Sequence, residues 1–307
     1  MNWKIKAAIR KAILASPGGA RLYRYLTYRV LGTQHGMAGK WFRVIPNHVR
    51  VLQEKLGDEA RHARLWCFDS GTTPAAAFSA ALVCDEPCLL TDRNDRLADT
   101  YLETSRKILA ERGRELAAIS RAPDGRFEEI QKLVASCRGS LEAIRALGME
   151  YSNNHDTACS PEWEGRIGLI FSAGTLEHYT PEEVDRELAR MHRALRPGGI
   201  LSHVIDHRDH RWHADKSISP LLHLTLTSED YHRRFGNALD YHNRWMQSDW
   251  VKAMEDHGFA VEPRTRHAYT SDLVPLDRSK LADDFRHLPA SDFEVIVTHF
   301  VAVKQAN

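Results

Sequence analysis

The 307-residue sequence has no uninterrupted apolar run of the roughly 20 residues that a bilayer-crossing helix needs, so no spanning helix is expected. Cysteine is scarce. The five thiols (Cys67, Cys84, Cys88, Cys137 and Cys159) are odd in number and follow neither a disulfide-framework nor a metal-site spacing. A reducing cytoplasm is the natural setting for such free thiols. There is no G-x-G-x-x-G turn, which argues against a dinucleotide oxidoreductase, and there are no repeats or low-complexity linkers. The sharpest absence is local: residues 1–53 contain ten Lys or Arg and no Asp or Glu. The net charge of +1 therefore hides a basic beginning and a remainder carrying −9.

Within the basic beginning, Ile5, Ala8, Ile9, Ala12 and Ile13 share one helical stripe, and Lys4, Lys6, Arg10 and Lys11 lie off it. Residues 1–58 are expected to form a basic helical arm. It serves either as a lid on the main domain or as a surface attracted to an anionic membrane or a polyanionic substrate. The expected location is cytoplasmic, with the inner face of a membrane as the variant that the arm suggests. No nucleic-acid partner is expected.

Residues 59–307 alternate strand and helix. Leu65–Phe68 is a short apolar strand that runs into Asp69-Ser70-Gly71-Thr72-Thr73-Pro74, and Pro74 suits the first turn of a helix over 75–83. Cys88–Thr91 is the next strand, closed by Asp92. Residues 97–147 read as inserted helices broken at Pro123-Asp124-Gly125. Met149–Tyr151 and Arg166–Phe171 follow as strands, then a helix over 181–195 that stops at Arg196-Pro197-Gly198-Gly199. The strand at 200–205 precedes an aromatic- and His-rich insertion over about 211–247. A serine-capped helix (248–257) and strands at 259–261 and 293–303 close the chain. This alternation implies a mainly parallel, doubly wound α/β sheet.

The chemistry of such sheets lies at the carboxyl ends of the strands. Gly71 lets the backbone turn tightly after the first strand. Asp92, 21 residues further on, is placed to accept hydrogen bonds from the two ribose hydroxyls of an adenosine. The segments CFDSGTT, LLTDR, LIFSAGTLEHY and RALRPGG, in this order, with GF between the last helix and strand, resemble a class I S-adenosylmethionine-dependent methyltransferase over roughly residues 60–305. The SHVIDHRDH ending and the later NRW and DW look like a subgroup linked to glycan or surface-polymer biosynthesis.

The resemblance implies a Rossmann-like seven-stranded sheet with one antiparallel edge strand. It also implies S-adenosyl-L-methionine as cofactor and a small-molecule or saccharide-linked acceptor methylated on oxygen. Carried over by position, Asp69 would orient the methionine amino group, and Gly71, Thr72 and Thr73 would frame the cofactor. Asp92 would hold the ribose with Arg93 beside the adenine. Asn154 or Asp156 would meet the adenine edge, and Ser172, Ala173 and Gly174 would line the methionine side. The sequence departs from the family pattern at Thr73, where glycine is expected, and at Gly168, where Asp is common. These departures motivate an alternative: an inactive methyltransferase-like scaffold in a biosynthetic complex.

An alcohol acceptor needs a base, and His178, Asp206, Asp209 and His210 are the candidates. The competing role for His178 is to cap local backbone and shape the pocket. The run His203, Asp206, His207, Asp209, His210, His213, Asp215 also has suitable ligand types for a divalent metal, but strand alternation splits it between two faces. The lesser alternative is a metal site; the greater is a solvated Asp-Arg-His network. Trp212, His223, Tyr231, Tyr241, Trp245 and Trp250 offer either a sugar-stacking surface or packing. Asn243 and Arg244 are the polar pair there for substrate contact.

Overall fold

A computed structural model describes residues 34–94, 97–235 and 241–305, together with residues 12, 13, 16–19, 22 and 26. Seven strands, β1 (Arg64–Cys67), β2 (Cys88–Thr91), β3 (Glu150–Ser152), β4 (Ile167–Ala173), β5 (Leu195–Asp206), β6 (Phe259–Ala268) and β7 (Val295–Lys304), form one sheet in the order β3-β2-β1-β4-β5-β7-β6. Pairing is parallel from β3 through β4, with Leu65 opposite Cys88 and Leu169, and an antiparallel pair lies at the edge. This is the Rossmann-like doubly wound sheet expected from the strand-helix alternation. Between β1 and β4 the strand order reverses direction, which makes the end of β1 the switch point of the fold.

Eight helices of seven residues or more are described: α1 (Gln34–Leu56), α2 (Ala75–Val83), α3 (Leu102–Ile119), α4 (Arg126–Ser136), α5 (Ser140–Ala146), α6 (Pro181–Ala194), α7 (Ser228–Phe235) and α8 (Gln247–Asp256). By contacts the described residues divide into two units. The larger draws on 24–172, 190–202 and 303–307, the smaller on 1–23, 173–189 and 203–302.

In the larger unit every residue of α2 is buried, as its uniformly apolar AAAFSAALV sequence requires. Helices α1 and α3 pack on α2, and α4 packs on α3. That last contact depends on Gly113, where a Cβ would lie 2.5 Å from the Phe127 ring. Trp66 Nε1 donates to Thr91 Oγ1 (2.9 Å), tying β1 to β2 from within the core. Helix α1, within the stretch 1–58 read as a basic arm or a lid on the main domain, belongs to this unit through buried Trp41, Phe42, Ile45, Val49 and Leu52. The rest of that arm, apart from eight positions, lies outside the described residues.

In the smaller unit a second core gathers Leu221, Leu224, Met246, Phe285, Phe293 and Ile296, which anchors the insertion after β5. Two boundaries differ from expectation. Helix α6 ends at Ala194, at the expected Arg196-Pro197-Gly198-Gly199 stop, but β5 begins already at Leu195 and includes that segment, with Gly198 taking φ 71°. Strand β6 runs on to Ala268, past the apolar residues that announced it. Helix α8 is capped by Asp249, which accepts from the Met246 N–H (2.9 Å), while the expected cap Ser248 donates to Asp292 (2.6 Å).

Candidate cofactor site and histidine cluster

The switch-point turn is built from backbone that only certain residues tolerate. Gly71 has φ 81°, with no heavy atom within 4 Å of a hypothetical Cβ; glycine is needed there for conformation, not space. Asp69 also lies in the left-handed region, at φ 52°, a conformation that Asp tolerates better than most residues. The turn is fixed to β2 by Ser70 N–H donating to Thr91 O (2.7 Å). It is fixed to α1 by Trp41 Nε1 donating to Ser70 O (3.2 Å).

Asp92 is the centre of this arrangement. Its Oδ2 accepts the Gly71 N–H (3.0 Å), its Oδ1 accepts the Asn94 N–H (2.9 Å), and the side chain is fully buried. Asp69 Oδ1 accepts the Arg93 N–H (3.3 Å) and lies 3.2 Å from His155 Nε2. The structure thus brings Asp69, Gly71, Asp92 and Arg93 together. His155 was not among the expected residues, yet its ring packs 4.3 Å from Phe68 and meets Asp69. Its neighbours on both sides had been named instead. Asn154 Oδ1 accepts the Asp156 N–H (2.9 Å), and Asp156 forms an exposed ion pair with Arg190 (2.6 Å). Both side chains are engaged away from Asp69.

Thr72 and Thr73 have separate parts. Thr73 Oγ1 accepts the Ala75 N–H (3.0 Å) in the first turn of α2, so its hydroxyl serves the helix start. The Thr72 hydroxyl is buried without a hydrogen-bond partner among the described residues. An orphaned buried hydroxyl is costly unless a ligand completes it. Ser172, at the end of β4, is fully buried one residue beyond Phe171, whose carbonyl accepts the Phe68 N–H (3.0 Å). The other family departure, Gly168, is explained by packing: a Cβ there would lie 2.9 Å from Ala63 Cβ. An Asp at 168 would require Ala63 or the strand to shift.

In the smaller unit, Ala173 is buried and Gly174 turns the chain after β4 at φ 63°, its N–H donating to Val204 O (2.8 Å). His178 Nδ1 lies 3.0 Å from the Tyr241 carbonyl oxygen. A carbonyl only accepts, so Nδ1 carries the hydrogen and Nε2 of the neutral ring carries the lone pair. His178 begins a succession of imidazoles. Its centroid is 5.0 Å from His210, which stacks on His242 at 4.2 Å, and His242 lies 5.0 Å from His223. Burial pushes His223 down to about 3, and neither of its ring nitrogens has a hydrogen-bond partner among the described residues. His203, buried in β5, and His207, buried just after it, are pushed down to about 3 and about 4 by the same cause.

The two carboxylates proposed as bases are each held by an arginine. Asp209 is fully buried and bidentate with Arg211; the guanidinium outweighs burial and keeps it in its charged form. Asp206 pairs with Arg208 through two bonds (2.7 and 2.6 Å) and lies 3.4 Å from His213, and it is likewise held low. Carboxylates so paired are weak bases. Among the described residues no three His, Cys, Asp or Glu side chains converge in a metal-holding arrangement. The cluster is a network of Asp-Arg pairs and stacked rings.

Asn243 and Arg244 hold the insertion in place. Asn243 Nδ2 donates to Tyr179 O (3.0 Å), and Arg244 donates to His223 O, Leu226 O and Ser228 Oγ while lying over Tyr231 and Phe285. Both are 5% exposed, so neither side chain is presented to an acceptor. Trp250 and Tyr231 are buried as well and act as packing. Trp245 remains half-buried and borders a cavity of about 540 Å³ with Glu182, Asp185, Arg186, Asp256 and His257.

No family model matches the chain, and no curated protein matches it. Solved structures with similar folds include an S-adenosylmethionine-dependent methyltransferase from Methanosarcina mazei (13% identity, TM-score 0.41, covering 80% of this chain and 93% of that one). Another is a methyltransferase of the same cofactor class, described as putative, from Listeria monocytogenes (14%, 0.44, 88% and 99%). A third is phosphoethanolamine N-methyltransferase 2 from Haemonchus contortus with S-adenosyl-L-methionine (16%, 0.43, 92% and 60%). At these scores none of them assigns an activity to this chain.

Proposed function

We propose that the chain is an S-adenosyl-L-methionine-dependent methyltransferase acting on an oxygen of a small-molecule, saccharide-linked acceptor. The observation that carries this reading is the contact between Asp92 and Gly71 at the switch point, where a carboxylate and a glycine turn from adjacent strand ends meet. The residues there fit the cofactor. Asp92 can accept from the ribose hydroxyls, Asp69 can pair with the methionyl ammonium, and the orphaned Thr72 hydroxyl gains a partner. In the structure Asp92 is closed off by Gly71 and Asn94, so ribose binding displaces at least one of these backbone donors. His155 backs Asp69 and limits the rotation of its carboxylate.

When bound, the cofactor supplies an electrophilic sulfonium methyl group. Transfer of that methyl group to an acceptor oxygen would leave the carbon–sulfur electron pair on sulfur. What the chain must add is orientation and a destination for the acceptor proton. We assign the proton to His178 Nε2, because the Tyr241 carbonyl fixes the other nitrogen as a donor. Asp206 and Asp209 are assigned to positioning of Arg208 and Arg211. The saccharide reading draws on the cavity bordered by Trp245, whose aromatic edge and nearby carboxylates suit a polyhydroxylated ligand. A cytoplasmic location and contact of the basic beginning with an anionic membrane surface are part of the same proposal.

The inactive-scaffold alternative loses its motivation once Thr73 serves the start of α2 and Gly168 is set by Ala63. Calorimetric titration with S-adenosylhomocysteine, followed by a turnover screen of hydroxylated acceptors, tests the proposal. Saturable 1:1 binding and release of the demethylated product support it. Absence of both rejects it.

A further inference from the structure

The strand order sets His155 against a carboxylate two strands away. Asp69 follows β1 and His155 follows β3, with β2, closed by Asp92, between them. His155 Nε2 lies 3.2 Å from Asp69 Oδ1, and the two side chains are only 5% and 7% exposed. A carboxylate only accepts, so Nε2 carries a hydrogen and Nδ1 is the atom that gains or loses a proton. Both partners are held in place. Hydrogen bonds from Phe68 N–H to Phe171 O and from Ser70 N–H to Thr91 O clamp the backbone on either side of Asp69. The His155 ring packs 4.3 Å from Phe68 and 6.3 Å from Trp66, and the turn that carries it is capped by Asn154.

We propose that His155 makes cofactor binding proton-linked: the ligand's ammonium group and the second proton of His155 are alternatives at Asp69, and binding sends that proton from Nδ1 to solvent. The proposal rests on the methyl-transfer reading. Asp69 Oδ1 takes the His155 and Arg93 donors, two of the roughly four hydrogen bonds that a carboxylate can accept. An ammonium added to the same carboxylate repels a protonated ring and tolerates a neutral one, whose Nε2–H still donates to Asp69. The other charged groups around the pair are engaged. Asp92 accepts the Gly71 and Asn94 N–H groups, Asp156 beside His155 is paired with Arg190, and the Lys40 charge on α1 reaches Cys67 at the end of β1. Burial pushes the Cys67 thiol up, towards its neutral form. Carboxylate, guanidinium and ammonium groups ordinarily keep their charge between pH 5.5 and 8, and an imidazole does not. His155 therefore also selects among ligands: acid weakens a nucleoside that bears an ammonium and spares one that lacks it.

The test is calorimetric titration of the full-length protein between pH 8.0 and 5.5 with two ligands. One is S-adenosylhomocysteine; the other is 5′-methylthioadenosine, which keeps the nucleoside and thioether and has no ammonium. Affinity for S-adenosylhomocysteine should fall about tenfold per pH unit below the titration of the ring, the slope for one linked proton. Affinity for 5′-methylthioadenosine should change less than twofold. At pH 6.0 the heats in two buffers of different ionisation enthalpy should show a proton released with S-adenosylhomocysteine and none with 5′-methylthioadenosine. His155→Gln, whose amide can still donate to Asp69, should cut the pH dependence for S-adenosylhomocysteine to less than twofold.

Three results would overturn the proposal and leave the cofactor reading standing: an S-adenosylhomocysteine affinity that is flat from pH 8.0 to 5.5, equal slopes for the two ligands, or proton release that persists in His155→Gln. The wild-type comparison of the two ligands decides the matter even where the variant fails to fold. Failure of S-adenosylhomocysteine to bind at pH 8.0 overturns both claims.

Discussion

Replacing Asp92 with Asn keeps the size of a fully buried side chain and removes its charge. In the structure the two carboxylate oxygens accept the Gly71 and Asn94 N–H groups at 3.0 and 2.9 Å. An amide retains one acceptor oxygen and turns its NH₂ toward the other donor, so one buried N–H loses its partner. That costs about 1–3 kcal/mol of stability. In a chain of this size, it should lower the melting temperature by roughly 2–12 °C, at about 2–4 °C per kcal/mol. Binding suffers separately. Hydrogen bonds from ribose hydroxyls to a carboxylate are worth about 1.5–3 kcal/mol each, so losing one acceptor should raise the dissociation constant of S-adenosylhomocysteine by about 10- to 100-fold. Thermal denaturation and calorimetry on the same preparation separate the two effects. Unchanged affinity in a folded Asp92→Asn protein would refute the role given to this carboxylate.

Gly168→Asp should destabilise the protein by about 1–3 kcal/mol or more, because its Cβ would lie 2.9 Å from Ala63 Cβ; a shift to higher melting temperature would contradict this. His178→Gln should reduce turnover by about 10²- to 10⁴-fold while S-adenosylhomocysteine affinity stays within twofold, and unaltered kcat would remove His178 from proton transfer. Stability should fall as pH drops. His203, His207 and His223 are held neutral by burial, at about 3, about 4 and about 3, below their unfolded value. Their contribution is complete above the unfolded histidine pKa of about 6.5, and each loses on the order of 1 kcal/mol per pH unit below it until its folded pKa is reached. Urea midpoints that stay flat between pH 7.5 and 5 would show that these rings are protonated in the fold.

The sequence announced the sheet well where burial and composition agree. Strands β1, β2 and β4 are buried throughout or nearly so, and their apolar runs end at Asp69, Asp92 and the Ser172–Gly174 turn as expected. It misplaced what depends on partners distant in the chain. Arg196–Gly199 ends α6 as its Pro and Gly announce, yet the same residues also extend β5, which no local signal shows. Strand β6 continues through Pro263, Arg264 and Arg266, with no apolar alternation to reveal it. Helix α1 looked like part of an arm because its basic composition is visible in the sequence. Its packing of Trp41 against Phe171 and the Ser70 carbonyl is not.

At the candidate site the main-chain frame was legible and the side-chain assignments were less so. Gly71 and Asp92 were identified by turn chemistry and spacing, and they do meet. Asn154 and Asp156 were named and His155 was passed over, because strand ends give no sign of which neighbour turns inward. Asn243 and Arg244 looked available as a polar pair in an insertion. Their burial follows from hydrogen bonds to Tyr179, His223 and Leu226, which no local pattern encodes.

The most direct test of the account is a crystal structure of the protein grown with S-adenosylhomocysteine. The account predicts the ribose hydroxyls on Asp92, the ammonium group beside Asp69, and the Gly71 N–H released from its present bond to Asp92. Ligand found elsewhere, or a turn that keeps the Asp92–Gly71 bond at saturating ligand concentration, would contradict it.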